Sequence, residues 1–177
     1  MKRFLTVPRS PPPEVLREYD PEDDDIRSVL VGLADQWEVI GAPMIVHVPG
    51  RDLRTATDFA ILLEQAPRAI LALEAGQPFT LLMYEQTAML ELDIVPDGES
   101  ARLSSRPLAF LDGGVEQVAE PPGGAGSAEE LHTSTMPLSV VVEDLKEAVA
   151  VVERCAMRTH DTHVRRWVQE WRAGRWF

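Results

Sequence analysis

Cysteine is nearly absent from this chain: Cys155 is the only one among 177 residues. A single thiol excludes an intrachain disulfide and points to a reducing compartment. Lysine is almost as scarce, with Lys2 and Lys146 the only two among 17 basic residues. No stretch approaches the ~20 consecutive apolar residues of a membrane helix. The opening Met1-Lys2-Arg3-Phe4-Leu5-Thr6-Val7-Pro8 holds basic residues but only a stub of apolar chain. That stub falls short of the ~7–15-residue core of a secretory signal, so a cytoplasmic location is expected. Phosphate-cradling loops are missing too, because Gly113-Gly114 and Gly123-Gly124 have neither G-x-G spacing nor a following Lys-Ser/Thr. Ser104, Ser105 and Ser134 sit in no G-x-S-x-G elbow.

What the chain has in excess is negative charge. Its formal net charge is -12, and the densest block is Glu18-Tyr19-Asp20-Pro21-Glu22-Asp23-Asp24-Asp25. The last segment reverses sign, with Arg154, Arg158, Arg165, Arg166, Arg172 and Arg175 against Asp161 and Glu170. Surplus carboxylates repel phosphate, which disfavours nucleic acid and anionic membrane surfaces as partners. A basic protein is the partner this charge admits most naturally. Solubility alone also accounts for an acidic composition.

The length suits one domain, and 45% hydrophobic with 26% charged residues is ordinary for a globular chain. The expected fold class is α+β, a central antiparallel sheet of about four to six strands packed by three to four helices. Residues 1–13, ending in Pro11-Pro12-Pro13, read as an extended lead-in to a single domain over 14–177. Ile26, Val29, Leu30, Leu33 and Trp37 have the spacing of an amphipathic helix. Asp20 is the expected cap of that helix, with Pro21 at its first position and the following acids at the positive end of its dipole.

Val39 to Val48 reads as a strand, and Pro49-Gly50 as a turn. Arg51 to Glu64 reads as a helix that Pro67 ends, and Ala69 to Ala75 as either a short strand or a helical turn. Phe79–Tyr84 and Ala88–Val95 flank Glu85-Gln86-Thr87 as a hairpin, with Leu90, Leu92 and Ile94 alternating against Glu91 and Asp93. Pro96-Asp97-Gly98-Glu99 turns the chain into a further strand at Ala101–Leu108. Asp112-Gly113-Gly114 is another turn, and 121–128 a Gly/Pro-rich loop. Val141, Leu145, Ala148, Val149, Val152 and Ala156 form a long helical stripe that starts near Pro137 or Ser139. A last helix spans about Thr162 to Arg172 and closes at Gly174.

Candidate chemistry is sparse. His160 and His163 with Cys155 offer metal-ligand types, but zinc pairs on helices use i, i+4 spacing and zinc modules want more thiols. A turn capped by Asp161 or Thr162 accounts for them, and no metal or cofactor is expected. Cys155 beside the apolar stripe reads as a buried thiol and not a nucleophile. Glu91 and Asp93 share one strand face, the usual pattern of a solvated surface. No catalytic residue is assigned. Trp37, Trp167 and Trp171 read as core, whereas Trp176, beyond Gly174, is a candidate contact residue. The expected partner-binding set is therefore Glu18, Asp20, Glu22, Asp23, Asp24, Asp25 and Trp176, in a monomer or weak homodimer.

One family likeness rests on the helix Asp52–Phe59, the strand Ala88–Ile94 with its Pro96-Asp97-Gly98 turn, Met136-Pro137-Leu138-Ser139 leading into Val142–Val149, and Arg166-Trp167. In this order the segments resemble the first immunity-protein family found beside bacterial polymorphic toxins. The resemblance spans about two-thirds of the chain, from Arg51 to about Trp167, and residues 1–38 have no counterpart in it. It implies a small α+β protein that binds and neutralises a toxin domain, often a nuclease or deaminase, by occluding its active site. An acidic secretion chaperone or adaptor, and a small-molecule-binding or enzymatic domain, are the competing readings.

Overall fold

The structure, a computed structural model, describes residues 3–8, 18–84, 89–108 and 131–176. The elements run β1 (Leu5–Thr6), α1 (Ile26–Val39), β2 (Ile45–Val48), β3 (Arg51–Leu53), α2 (Ala56–Glu74), β4 (Phe79–Met83), β5 (Leu90–Asp97), β6 (Ser100–Pro107), β7 (His132–Pro137), α3 (Leu138–Ala156) and α4 (Thr162–Arg172). The fold is α+β. Its strands divide between a sheet in the order β1-β2-β3 and a meander in the order β4-β5-β6-β7, in place of one central sheet. All pairings are antiparallel.

Helix α2 is the centre of the molecule. Leu62, Leu63, Ala66 and Ala69 are fully buried, and Phe59 and Leu73 nearly so, which leaves the helix apolar on most of its circumference. Such a helix must be surrounded, and α1, α3, α4 and β4 pack against it. It starts later than the sequence suggests, because Arg51–Leu53 first pairs as β3. Thr55 then caps it: the Asp58 N–H donates to Thr55 Oγ1 at 3.1 Å, and the Thr55 hydroxyl donates to Asp58 Oδ2 at 2.7 Å. The Thr55 side chain is thus the N-cap, and the Asp58 carboxylate holds its hydroxyl in place.

Pro67 does not end α2, which continues to Glu74 and makes the ambiguous 69–75 segment helical. A proline inside a helix withholds one N–H and strands the carbonyl four residues earlier, here that of Leu63. The Trp171 indole N–H takes up that carbonyl at 3.0 Å and also reaches Glu64 O at 3.3 Å. Trp171 is 1% exposed, so α4 supplies the hydrogen bond that Pro67 removes.

Sequence and structure differ at three further boundaries. Val39 is the last residue of α1, so the β2 strand begins only at Ile45. Helix α1 opens at Ile26 and is capped by Asp25, not by Asp20. Strand β7 has no apolar alternation because His132–Thr135 are exposed on both faces; only its pairing with β6 reveals it. The β4–β5 hairpin pairing is as expected, with Leu81 opposite Leu92. Its turn at 85–87, the 112–114 turn, the 121–128 loop and the 9–13 part of the lead-in lie outside the described residues.

Strand β4 is an edge of its sheet, and unpaired edges are templates for aggregation. The Gln65 side chain blocks this one. Its Nε2 donates to Leu82 O at 2.9 Å and its Oε1 accepts the Leu82 N–H at 3.0 Å, so one amide takes the place of a neighbouring strand. Gln65→Ala is expected to cost about 1–2 kcal/mol in urea unfolding and to raise concentration-dependent aggregation. An unchanged midpoint would show that water replaces the amide without penalty.

The C-terminal turn has a Schellman closure. Gly174 has φ +66°, its N–H reaches Trp171 O at 2.8 Å, and Arg175 N–H reaches Glu170 O at 3.0 Å. Among the described residues no helix is long and apolar enough to cross a membrane.

Candidate functional site

The acid block folds into a tight loop ahead of α1. The Asp20 carbonyl accepts the N–H groups of Asp23 at 3.1 Å and Asp24 at 2.7 Å. Asp20 Oδ1 accepts the Glu22 N–H at 2.9 Å, and Asp24 Oδ2 accepts the Asp20 N–H at 3.0 Å. Asp25 Oδ1 accepts Arg27 N–H at 2.8 Å and Ser28 N–H at 3.3 Å, capping the helix. Asp20, Asp24 and Asp25 thus satisfy backbone donors that the loop and helix start would otherwise leave open.

Glu18, Glu22 and Asp23 have no such duty. All three are exposed, and none has a cationic partner among the described residues. They are held in place by Tyr19, a residue that the charge pattern hides. Its ring is 6% exposed and packs edge-on to Trp167, centroids 6.5 Å apart at 87°. Its hydroxyl lies 2.7 Å from where a Cβ on Gly32 would stand. A glycine inside a helix costs up to ~1 kcal/mol, and at position 32 it makes room for this anchor. An acidic loop on a fixed tyrosine is preorganised, so a partner need not order it on binding.

Behind the loop, Arg27 ties α1 to α2 through Glu64, with Nε at 3.0 Å and Nη2 at 2.9 Å from Glu64 Oε1. The Tyr84 hydroxyl donates to Glu64 Oε2 at 2.8 Å. Glu64 is 8% exposed, so both oxygens of a nearly buried carboxylate are compensated. Farther along α1, Val31, Asp35, Glu38 and Val39 are exposed.

Trp176 is half-buried and packed against the hydrophobic core, so the core reaches beyond Gly174. Trp37, Trp167 and Trp171 are core residues as expected.

The other chemistry-bearing residues are dispersed or structural. Cys155 is buried on α3, and burial pushes its thiol up to about 11, which keeps it a protonated thiol and a poor nucleophile. His160 and His163 are exposed on either side of Asp161, which caps α4 by accepting from His163 N–H at 2.8 Å. Glu91 pairs with Arg106 at 2.5 Å across the β5–β6 ladder on the polar face of the sheet. Among the described residues no group of three or more His, Cys, Asp or Glu stands together as metal ligands would.

Sequence spacing gave no sign of one polar chain on the three-stranded sheet. His47 lies between Asp52, with Nδ1 2.8 Å from Oδ1, and Thr6, with Nε2 3.1 Å from Oγ1. The His47 hydrogen bond, helped by Arg54, holds the Asp52 carboxyl below the usual range. An ionised Asp52 only accepts, so Nδ1 carries a proton and donates to it. The chain stitches β1 to β3 through β2. Its stabilisation is present above the ordinary carboxylate value of 3.8 and is lost as pH falls through the lowered one. A scan against protein-family models, a search of curated proteins and a search of solved structures find no match to this chain.

Proposed function

We propose that this chain is a non-catalytic binding protein whose acidic loop engages a basic protein. The most specific form of that reading is an immunity protein that covers the active site of a basic toxin domain, a nuclease or deaminase. One observation carries it: Glu18, Glu22 and Asp23 are exposed, without cationic partners among the described residues, on a loop that its own hydrogen bonds and Tyr19 hold fixed. Nucleic-acid-acting enzymes present basic grooves, and an anionic surface of this kind steers rapid association with them and blocks the groove without chemistry. The family resemblance read from the sequence points the same way.

The reading expects a toxin domain to be encoded beside this gene, and the test uses the product of that neighbouring gene. Purified together, the two are expected to form a 1:1 complex with the toxin activity suppressed. Glu18→Lys, Glu22→Lys and Asp23→Lys combined spare the Asp25 cap. They are expected to slow association about tenfold or more and to flatten its salt dependence. Unchanged kinetics would remove Glu18, Glu22 and Asp23 from the binding surface, and the absence of any complex or inhibition would sink the immunity reading.

A further inference from the structure

The end of α4 gathers positive charge on a chain whose net charge is -12. Arg172 pairs with Glu153 of α3 at 2.6 Å, which seats the last turn of α4 on the end of α3. A groove of about 630 Å³ opens there, lined by Ala150, Glu153, Arg154, Met157, Arg158 and Arg172. Two residues on, the chain meets α2: a Cβ on Gly174 would stand 3.1 Å from Leu71 Cδ1 and 3.8 Å from Arg68 Cγ. The end of α4 therefore lies between Met157, 67% exposed, and Leu71, 56% exposed. Arg68 comes from α2, Arg154 from α3 and Arg175 from beyond α4, so only the tertiary fold gathers them.

Arg68, Arg154 and Arg175 are exposed, and among the described residues none of the three has an anionic partner. Helix dipoles account for part of this, since cations are favoured at helix C-termini, and Arg154 and Arg172 lie in the last turns of α3 and α4. They do not account for Arg68, which stands inside α2, or for two large apolar side chains left in water beside the arginines. Single exposed apolar residues are ordinary. Methionine and arginine together, without lysine, are instead the composition that the centre of a protein interface favours.

We infer that this face docks a short acidic segment of another protein, one with apolar side chains between its carboxylates. Arg68, Arg154 and Arg175 meet the carboxylates, each through a planar fork that matches them. Leu71 and Met157 receive the apolar side chains, and the unbranched methionine adapts its shape to them. Arg172 keeps Glu153, and Arg158 keeps its own contacts. The rest of the chain sets the length of the occupant. With 29 acidic against 17 basic residues, a nucleic acid or an anionic membrane extends past the arginines and meets repulsion. A segment of a few residues stays within them. This face uses no residue of the acidic loop, and the inference stands whether or not that loop binds a basic protein.

The full chain, isotopically labelled, is titrated by NMR with probes up to about 5 mM, a range that captures millimolar dissociation constants. The first probe is the end-capped peptide Glu-Glu-Leu-Leu-Glu-Glu, set against Glu-Glu-Ser-Ser-Glu-Glu, Lys-Lys-Leu-Leu-Lys-Lys and oligothymidylate. Saturable shifts at the Leu71, Met157 and Gly174 amides are expected with the first peptide. The serine peptide is expected to bind at least about fivefold more weakly, and the lysine peptide and oligothymidylate not at these amides. Arg68→Glu with Arg175→Glu, both exposed, is expected to weaken binding about tenfold or more. Leu71→Ser keeps the charge and is expected to weaken it severalfold. Sedimentation of the parent without peptide is expected to show a monomer at the same protein concentration. No saturable shift, a serine peptide that binds as tightly, or oligothymidylate bound at these amides would each overturn the assignment. So would a parent dimer that the double-arginine variant dissolves, which gives the face to a second copy, or a double variant that folds and binds like the parent.

Discussion

Asp144→Ala is expected to destabilise the protein by about 3 kcal/mol, measured by urea unfolding, without touching the acidic loop or the arginines at the end of α4. Asp144 is 6% exposed on α3, and its Oδ2 accepts two backbone N–H groups of the N-terminal segment, Phe4 at 2.7 Å and Leu5 at 3.0 Å. Phe4 and Leu5 are fully buried. Without the carboxylate the chain has two ways to respond. β1 stays, leaving two buried N–H groups unsatisfied at ~1–3 kcal/mol each, or it detaches and exposes two large apolar side chains at ~1.5–3 kcal/mol each. The routes are close in cost, so hydrogen exchange decides between them. The His47 N–H donates to Phe4 O at 3.0 Å, and it loses protection only if β1 leaves. Asp144→Asn keeps an acceptor of the same size and is expected to lose about 1 kcal/mol. The Arg3–Asp144 ion pair adds little, being 3.8 Å long with Arg3 half-exposed. An Asp144→Ala midpoint equal to that of the parent would mean that other groups dock β1.

Trp171 supports the second large effect. Trp171→Ala is expected to cost about 4 kcal/mol through the cavity it opens beside α2. Trp171→Phe keeps most of the apolar volume and removes the N–H, so its cost of about 1–2 kcal/mol isolates the hydrogen bond to Leu63 O. Pro67→Ala makes the sharper measurement. It returns a backbone N–H to the Leu63 carbonyl, so Trp171→Phe is expected to cost about 1 kcal/mol less in the Pro67→Ala background. A coupling of zero would show that the indole and the proline act independently.

Elements with a strong period were legible. The alternation of Leu90, Leu92 and Ile94, the stripes of α1 and α3, the Asp161 cap and the Gly174 closure all appear where local pattern places them. Pro67 misled because a helix-breaking residue is judged by what it removes from its own helix, whereas Trp171, 104 residues later in the chain, restores it. Strand β7 was hidden because a polar edge strand has no buried face to impose alternation. Thr55, an N-cap residue type three positions before Asp58, was there to be read and would have placed the start of α2. In the acid block, composition located the charge but could not sort it; hydrogen bonds assign Asp20, Asp24 and Asp25 to the backbone and leave Glu18, Glu22 and Asp23 facing outward.

By itself the sequence determined the α+β class, the excess of acid and the place where it concentrates, because these depend on residue type and short-range spacing. Tertiary structure alone decided that the strands form two sheets, that Tyr19 fixes the acidic loop, that Trp176 joins the core and that α4 ends between Leu71 and Met157. Each of those facts is a contact between residues distant in the chain. Such contacts follow from how buried faces find one another, which no local period encodes.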